Sequence, residues 1–155
     1  MKVLLQRVTG ASVSVAGEVV GRIGRGLVVF IGVAKGDTEK DAQFLAQKTT
    51  NLRIFADEES KFNLSARDIK GELLLISQFT LLADTGKGRR PSFVEAAPPA
   101  RAEELFKHFV ERSSATGLKV ETGRFQQHMQ VEIYNDGPVT ILLDSLGKSQ
   151  RTWWE

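Results

Sequence analysis

The sequence predicts an α+β fold: a single domain of twisted, largely antiparallel or mixed β-sheets, barrel-like, with two amphipathic helices packed on one face. Three observations carry that expectation. Apolar runs of strand length, rich in β-branched residues and punctuated by glycine, recur from Val3 to Asp144. Only two stretches show the three-and-four spacing of a helix that lies on a sheet. Those two do not alternate one-to-one with the strands, as a parallel βαβ sheet would require.

Val3–Val8 and Ala11–Val15 read as two short strands around Thr9-Gly10, with Val13 and Val15 alternating with Ser12 and Ser14. Ala16-Gly17-Glu18 turns the chain into Val19–Ile23. Leu27–Val33 is apolar on both faces, as a central strand is. Gly21, Gly24 and Gly26 lack the Gly-Lys-Ser/Thr ending of a phosphate loop and read as hairpin punctuation. Asp37 or Thr38 caps a helix from about Glu39 to Leu52, with Ala42, Leu45, Thr49 and Leu52 on one face. Arg53–Ala56 is a short strand and Asp57–Asp68 a charged loop. Glu72–Leu82 is the most hydrophobic strand candidate. Ala83–Pro99 is a polar, basic loop. Pro98 and Pro99 open a second helix, Ala100 to about Ser114, because the first helical N–H groups have no partner to lose. Its stripe is Ala102, Leu105, Phe106, Phe109 and Val110, and Gly117 ends it. Leu118–Glu121, His128–Tyr134 and Val139–Asp144 read as strands.

Composition narrows the function. A chain of 155 residues, 41% hydrophobic and 26% charged, has the make-up of one soluble domain with a real core. The absence of cysteine excludes disulfides, thiolate zinc sites and a cysteine nucleophile. No apolar run approaches the ~20 residues of a membrane span. Met1-Lys2-Val3-Leu4-Leu5-Gln6-Arg7 meets charge too early for a secretory leader. The expected location is the cytoplasm, with no membrane partner. A net charge of +2 does not argue for nucleic acid, so a local cluster must do so.

Two stretches carry candidate chemistry. Asn135-Asp136-Gly137-Pro138 lies between two strand-like runs. It fits an ordinary hairpin turn, or a rigid main-chain fork if the Gly137–Pro138 bond is cis, an isomer that costs roughly 0.5–1 kcal/mol before proline. In Ser77-Gln78-Phe79-Thr80, strand alternation places Gln78 and Thr80 on one face of an otherwise apolar strand. There they either meet backbone and water at the strand end or line a pocket. Lys87, Arg89 and Arg90 form a basic cluster soon afterwards, suited either to solvent or to phosphates. Arg7 either sits at a strand edge or holds the turn's carbonyls with paired hydrogen bonds. His108 falls on the polar side of the second helix, and His128 reads as a strand-edge surface residue. No His/Asp/Glu spacing suggests a metal, and no base stands beside Thr80 to activate it as a nucleophile.

Taken together, Ser77-Gln78-Phe79-Thr80-Leu81 and Asn135-Asp136-Gly137-Pro138-Val139-Thr140 resemble the D-aminoacyl-tRNA deacylases. Val3–Val8, Lys87-Gly88-Arg89-Arg90-Pro91-Ser92-Phe93, and Thr122-Gly123-Arg124-Phe125 followed by Met129 match further pieces in family order. The resemblance covers residues 1–144. The tail 145–155, with Lys148, Arg151, Trp153 and Trp154, lies outside it.

The resemblance implies a homodimeric hydrolase without cofactor or metal. Its substrate is the 3′ acceptor end of tRNA carrying a D-amino acid, or glycine mischarged on tRNA-Ala, and not DNA. It implies catalytic roles for Ser77, Gln78, Phe79 and Thr80, with backbone N–H groups near Phe79 and Thr80 forming an oxyanion hole and the terminal 2′-OH of the tRNA assisting. It implies a cis Gly137–Pro138 fork that rejects L-amino acids across the dimer, supported by Arg7, Phe125 and Asn135. Lys87, Arg89 and Arg90 would bind tRNA. Two rivals remain at this point: a non-catalytic RNA-binding module, and a small esterase. The esterase would need a nucleophile elbow, which the sequence lacks.

Overall fold

The structure is a computed structural model and describes residues 1–146. Eight strands, two α-helices and one 3-10 turn follow one another: β1 (Lys2–Val15), β2 (Glu18–Ile23), β3 (Gly26–Gly32), α1 (Glu39–Asn51), β4 (Phe55–Ala56), β5 (Phe62–Leu64), β6 (Glu72–Ser77), the 3-10 turn (Phe79–Leu82), α2 (Pro99–Ser114), β7 (Val120–Thr122) and β8 (Gln130–Asp144). The main sheet runs β2-β1-β3-β6-β7, with β8 paired to β1. β3, β6 and β7 are parallel neighbours, and β1 is antiparallel to β2, β3 and β8. β4 and β5 form a separate hairpin.

The sheet has two buried faces. Leu27, Val29 and Ile31 of β3 and Leu73 and Leu75 of β6 meet Ala42, Leu45, Leu105 and Phe109 of the helices. The alternate residues Val28, Leu74 and Ile76 face the other way, onto Val8, Val13 and Ile23. The helices therefore cover one face, while β2 and the second half of β1 curl over the other to make a nearly closed barrel. β1 supplies both cores. Val3 and Leu5 point to the helices; after register shifts at Gln6–Val8 and Val8–Gly10, Ala11 and Val13 point into the barrel. A one-residue slip reverses which face a strand presents, and the bulges use that property. The Met1 ammonium, buried, pairs with Asp37 at 2.8 Å and donates to Ser145 Oγ at 2.9 Å. This fastens the start of β1 and the end of β8 to the β3–α1 loop.

Several sequence expectations need correction. Val3–Val8 and Ala11–Val15 are one continuous strand, because β8 pairs across the break and holds both halves. The charged loop Asp57–Asp68 contains β5. The strand expected over Glu72–Leu82 ends at Ser77 and continues as the 3-10 turn, so Gln78 and Thr80 do not share the face of a strand. Asn135–Pro138 is not a hairpin turn. The runs on either side both pair with β1, so the stretch is a bulge within the single strand β8. The strand expected from His128 begins at Gln130. The expectation for residues 147–155, with Lys148, Arg151, Trp153 and Trp154, lies outside the described residues.

Candidate active site

The first cluster forms where β6 stops. The Gln78 N–H donates to the Ile31 carbonyl at 2.8 Å, the last rung toward β3. The chain then tightens into the 3-10 turn, and Gly32 makes room for it. A Cβ there would stand 2.6 Å from Leu82 Cδ2 and 3.0 Å from the Gln78 carbonyl oxygen. The first hydrogen bond within the turn runs from the Leu81 N–H to the Gln78 carbonyl, 3.3 Å. The Phe79 and Thr80 N–H groups precede that pattern, as the first N–H groups of any helical turn do. The Gln78 amide also donates to the Thr80 hydroxyl, so the two side chains expected to share a strand face do meet, through the turn.

Ser77, Gln78 and Phe79 open onto a cleft of about 1040 Å³, whose other walls include Phe93, Phe125 and Met129. Phe79 and Phe93 stand edge to face, ring centroids 5.0 Å apart. Among the described residues, the ionisable side chains that line the cleft are Lys35 and His128, and no carboxylate does. Among the described residues no three His, Cys, Asp or Glu side chains are grouped as metal ligands would be. The cleft thus offers an apolar, aromatic chamber with main-chain donors at its edge. Such a place suits a flat ring and a developing negative charge better than proton transfer between side chains.

The second cluster is the bulge of β8. Two steps along β1, from Gln6 to Val8, face five along β8, from Thr140 to Asn135. The surplus residues leave the ladder, and one side chain replaces its missing bonds. Asn135 Nδ2 donates to Gln6 Oε1 at 2.9 Å, the Val139 carbonyl at 3.2 Å and Thr140 Oγ1 at 3.0 Å; its Oδ1 accepts the Val139 N–H at 2.8 Å. Arg7, only 12% exposed, donates from Nε to the Asp136 carbonyl at 2.9 Å and from Nη1 to the Ile54 carbonyl at 2.7 Å. The Gly137–Pro138 bond is cis. Gly137 has φ +143°, where a side chain would be strained, and a Cβ would lie 2.8 Å from Val139 Cγ2 and 3.1 Å from Arg7 Nη2. Gly137 and Pro138 are exposed. On the neighbouring β4–β5 hairpin, the backbone N–H of Lys61, and secondarily that of Glu59, holds the Asp57 carboxyl below its ordinary range.

One chain therefore brings Ser77, Gln78, Phe79 and Phe125 to one cleft, and Arg7, Asn135, Gly137 and Pro138 to a separate bulge. Thr80 is exposed beside the cleft rather than lining it. Lys87, Arg89 and Arg90 sit on an exposed loop whose neck is closed by reciprocal 2.8 Å bonds between Asp84 and Ser92, one residue before Phe93. Sequence reasoning did not single out Phe93 or Gln127 as lining residues, and placed His128 on a strand edge. An aromatic residue embedded in a polar loop was the available signal for Phe93. Gln127 and His128 reach the cleft on an irregular segment that carried none.

The chain matches the family model described as D-Tyr-tRNA(Tyr) deacylase over residues 4–144. It is 59% identical over 145 residues to a D-aminoacyl-tRNA deacylase of Dehalococcoides mccartyi, covering 94% of this chain and 95% of that one. A D-aminoacyl-tRNA deacylase of Thermotoga petrophila is 57% identical, with 94% and 97% covered. Among solved structures, the c-Myc DNA Unwinding Element Binding Protein superposes with a TM-score of 0.88 at 44% identity, over 94% of this chain and 99% of that one. A probable eukaryotic D-amino acid tRNA deacylase superposes with a TM-score of 0.80, over 92% and 97%, but at 18% identity it speaks to the fold alone. A family model that spans residues 4–144, with relatives this similar along their whole length, makes the chain a member of the D-aminoacyl-tRNA deacylase family, hydrolases of the ester bond that joins an amino acid to tRNA.

Proposed function

We propose that this deacylase completes its site only as a symmetric dimer, the Gly137–Pro138 bulge of one copy facing the Phe79 cleft of the other. The observation that carries this reading is the separation just described. The two most family-like stretches fold into two clusters of one chain, and the bulge residues do not line the cleft. β8 favours such an arrangement. It pairs with β1 along one edge only, and its outward side chains include Tyr134 at 66% and Leu142 at 58% exposure. A two-fold axis would place each bulge in the opposite site reciprocally.

In this reading the Gly137 and Pro138 carbonyls stand beside the α-carbon of the bound aminoacyl group. An L side chain strikes them, whereas a D side chain or the hydrogen of glycine does not. Discrimination by exclusion suits an enzyme that must spare abundant L-aminoacyl-tRNA. It also extends activity to glycyl-tRNA mischarged on tRNA-Ala. Water attacks the ester carbonyl, the Phe79 and Thr80 N–H groups receive the oxyanion, and the bond to the 3′ oxygen breaks as that oxygen takes up a proton. The tRNA's own 2′-OH guides the proton, in keeping with a cleft that no carboxylate of the described residues lines. Lys87, Arg89 and Arg90 hold acceptor-stem phosphates, and the protein works in the cytoplasm.

The test is release of free amino acid from matched D- and L-aminoacyl-tRNA, with glycyl-tRNA alongside. The reading expects rapid release of D-amino acid and glycine, and little of L. Binding of tRNA without turnover would replace it with a non-catalytic RNA-binding role. Equal binding of duplex DNA would show that the basic loop recognises phosphate in general.

A further inference from the structure

We propose that Phe62 is a positioning residue for the chirality filter, acting through Arg7. The inference rests on the reading of the Gly137–Pro138 bulge given above. Phe62 lies on β5, in a hairpin remote in sequence from both clusters, and is 56% exposed. Exposure of a single aromatic residue means little in itself. What matters is that the Arg7 guanidinium carbon lies over its ring, 5.3 Å from the centroid. That distance falls within the range of a cation–π interaction.

Arg7 is the joint between three segments. Its Nε binds the Asp136 carbonyl, the residue before Gly137, and its Nη1 binds the Ile54 carbonyl, which leads into β4. Both bonds lie near the plane of the guanidinium and fix its edge. The Phe62 ring is the third contact, with the guanidinium carbon over it at 5.3 Å from the centroid. Asp136 Oδ2, at 3.6 Å from Nε, balances the charge. Without the ring, the guanidinium keeps its two carbonyls but gains freedom to tilt and gains water where the ring stood. The Asp136 carbonyl is then held less firmly, and the Gly137–Pro138 carbonyls that follow it lose their fixed direction. A filter that works by collision depends on that direction, whereas binding and hydrolysis of the D substrate depend on it less. The Phe62 ring therefore serves rejection of the L substrate rather than turnover of the D substrate.

The experiment compares kcat/KM for D- and L-aminoacyl-tRNA bearing the same amino acid in wild type, Phe62→Leu, Phe62→Tyr, Arg7→Ala and the Phe62→Leu/Arg7→Ala double variant. NMR of the Arg7 Nε–H and thermal melting accompany the kinetics. Phe62→Leu is expected to lower the D-to-L ratio roughly two- to five-fold, the range an exposed cation–π interaction supports. The Arg7 Nε–H should exchange faster, with little change in melting. Phe62→Tyr should restore both readouts, and Phe62→Leu should add nothing once Arg7 is gone. An unchanged ratio in Phe62→Leu, or an additive loss in the double variant, overturns the role assigned to Phe62. A melting loss with the ratio constant reduces Phe62 to a structural residue and overturns it equally. Wild-type protein that does not distinguish the enantiomers overturns the filter itself, and the proposal with it; the Nε–H exchange then still reports whether Phe62 restrains Arg7.

Discussion

The Phe79 cleft and the Gly137–Pro138 bulge are built by opposite means. The cleft is shaped by packing and main chain. Its walls come from the chain just after β3, β6, the start of the 3-10 turn, the loop into α2, the start of α2 and residues 125–131. The bulge is held by single side chains: Asn135 makes four hydrogen bonds across it, and Arg7 ties it to β4. A site divided this way places its tolerance to substitution in one half and its vulnerability in the other.

Asn135→Ala puts this contrast under the greatest stress. The change strands the Val139 N–H and loosens the Gln6 and Thr140 side chains. At about 0.5–1.5 kcal/mol net per hydrogen bond, the expected loss is roughly 2–4 kcal/mol in urea denaturation. A loss below about 0.5 kcal/mol, the size of an ordinary surface substitution, would show that the bulge does not depend on its side chains. Next comes Gly137→Ala. The φ of +143° and the close approach to Val139 Cγ2 oppose a Cβ, for about 1–3 kcal/mol of strain. The same variant should lose most of its discrimination between D and L substrates.

The cleft should respond more mildly. Thr80→Ala removes the hydroxyl bonded to Gln78 but leaves the main-chain N–H groups, so D-aminoacyl-tRNA hydrolysis should stay within about tenfold of wild type. A substrate ending in 2′-deoxyribose, with the ester on the 3′ oxygen, should fall by about a hundredfold or more, as when a proton-transfer group is removed. Turnover abolished by Thr80→Ala, with the deoxy substrate unaffected, would make Thr80 the nucleophile. The smallest effect is expected on the exposed basic loop. Arg89→Ala and Arg90→Ala should each lower the salt slope of tRNA binding by about 0.9 or less for every phosphate that is no longer neutralised, measured between low and moderate salt. Slopes equal to wild type in both variants would move the tRNA away from this loop.

The sequence shows the two regions unequally. Local periodicity located both helices and the central strand, because the helix stripe from Ala102 to Val110 and the doubly apolar Leu27–Val33 are decided by neighbours in sequence. It did not reveal that the strand through Ile76 ends at Ser77. Phe79, Leu81 and Leu82 continue the apolar run, and only Ser77-Gln78 and Thr80 interrupt it. Nor did it separate a hairpin turn from a bulge at Asn135–Pro138. That distinction depends on which strand the flanks pair with, and Asn135 finds its partner Gln6 at a separation of 129 residues. Motif resemblance supplied both stretches where periodicity could not. Phe93 stood inside a matched stretch without a role, and Phe62 lay outside every match, because their neighbours are brought to them by the tertiary approach of loops and a hairpin.

A site shared between two copies is tested most directly by complementation. One preparation carries Ala97→Trp, which fills the cleft wall; the other carries Gly137→Trp, whose side chain would fill the cleft of the facing copy; each is assayed alone with D-aminoacyl-tRNA and then after the two are mixed and allowed to exchange subunits. Each alone should be nearly inactive. Random exchange of a two-fold dimer makes about half the dimers mixed, each with one intact site, so activity should return to about one quarter of wild type. No recovery, with mixed dimers demonstrated by mass spectrometry, or full activity from a protein that light scattering shows to be monomeric, would rule out the shared site.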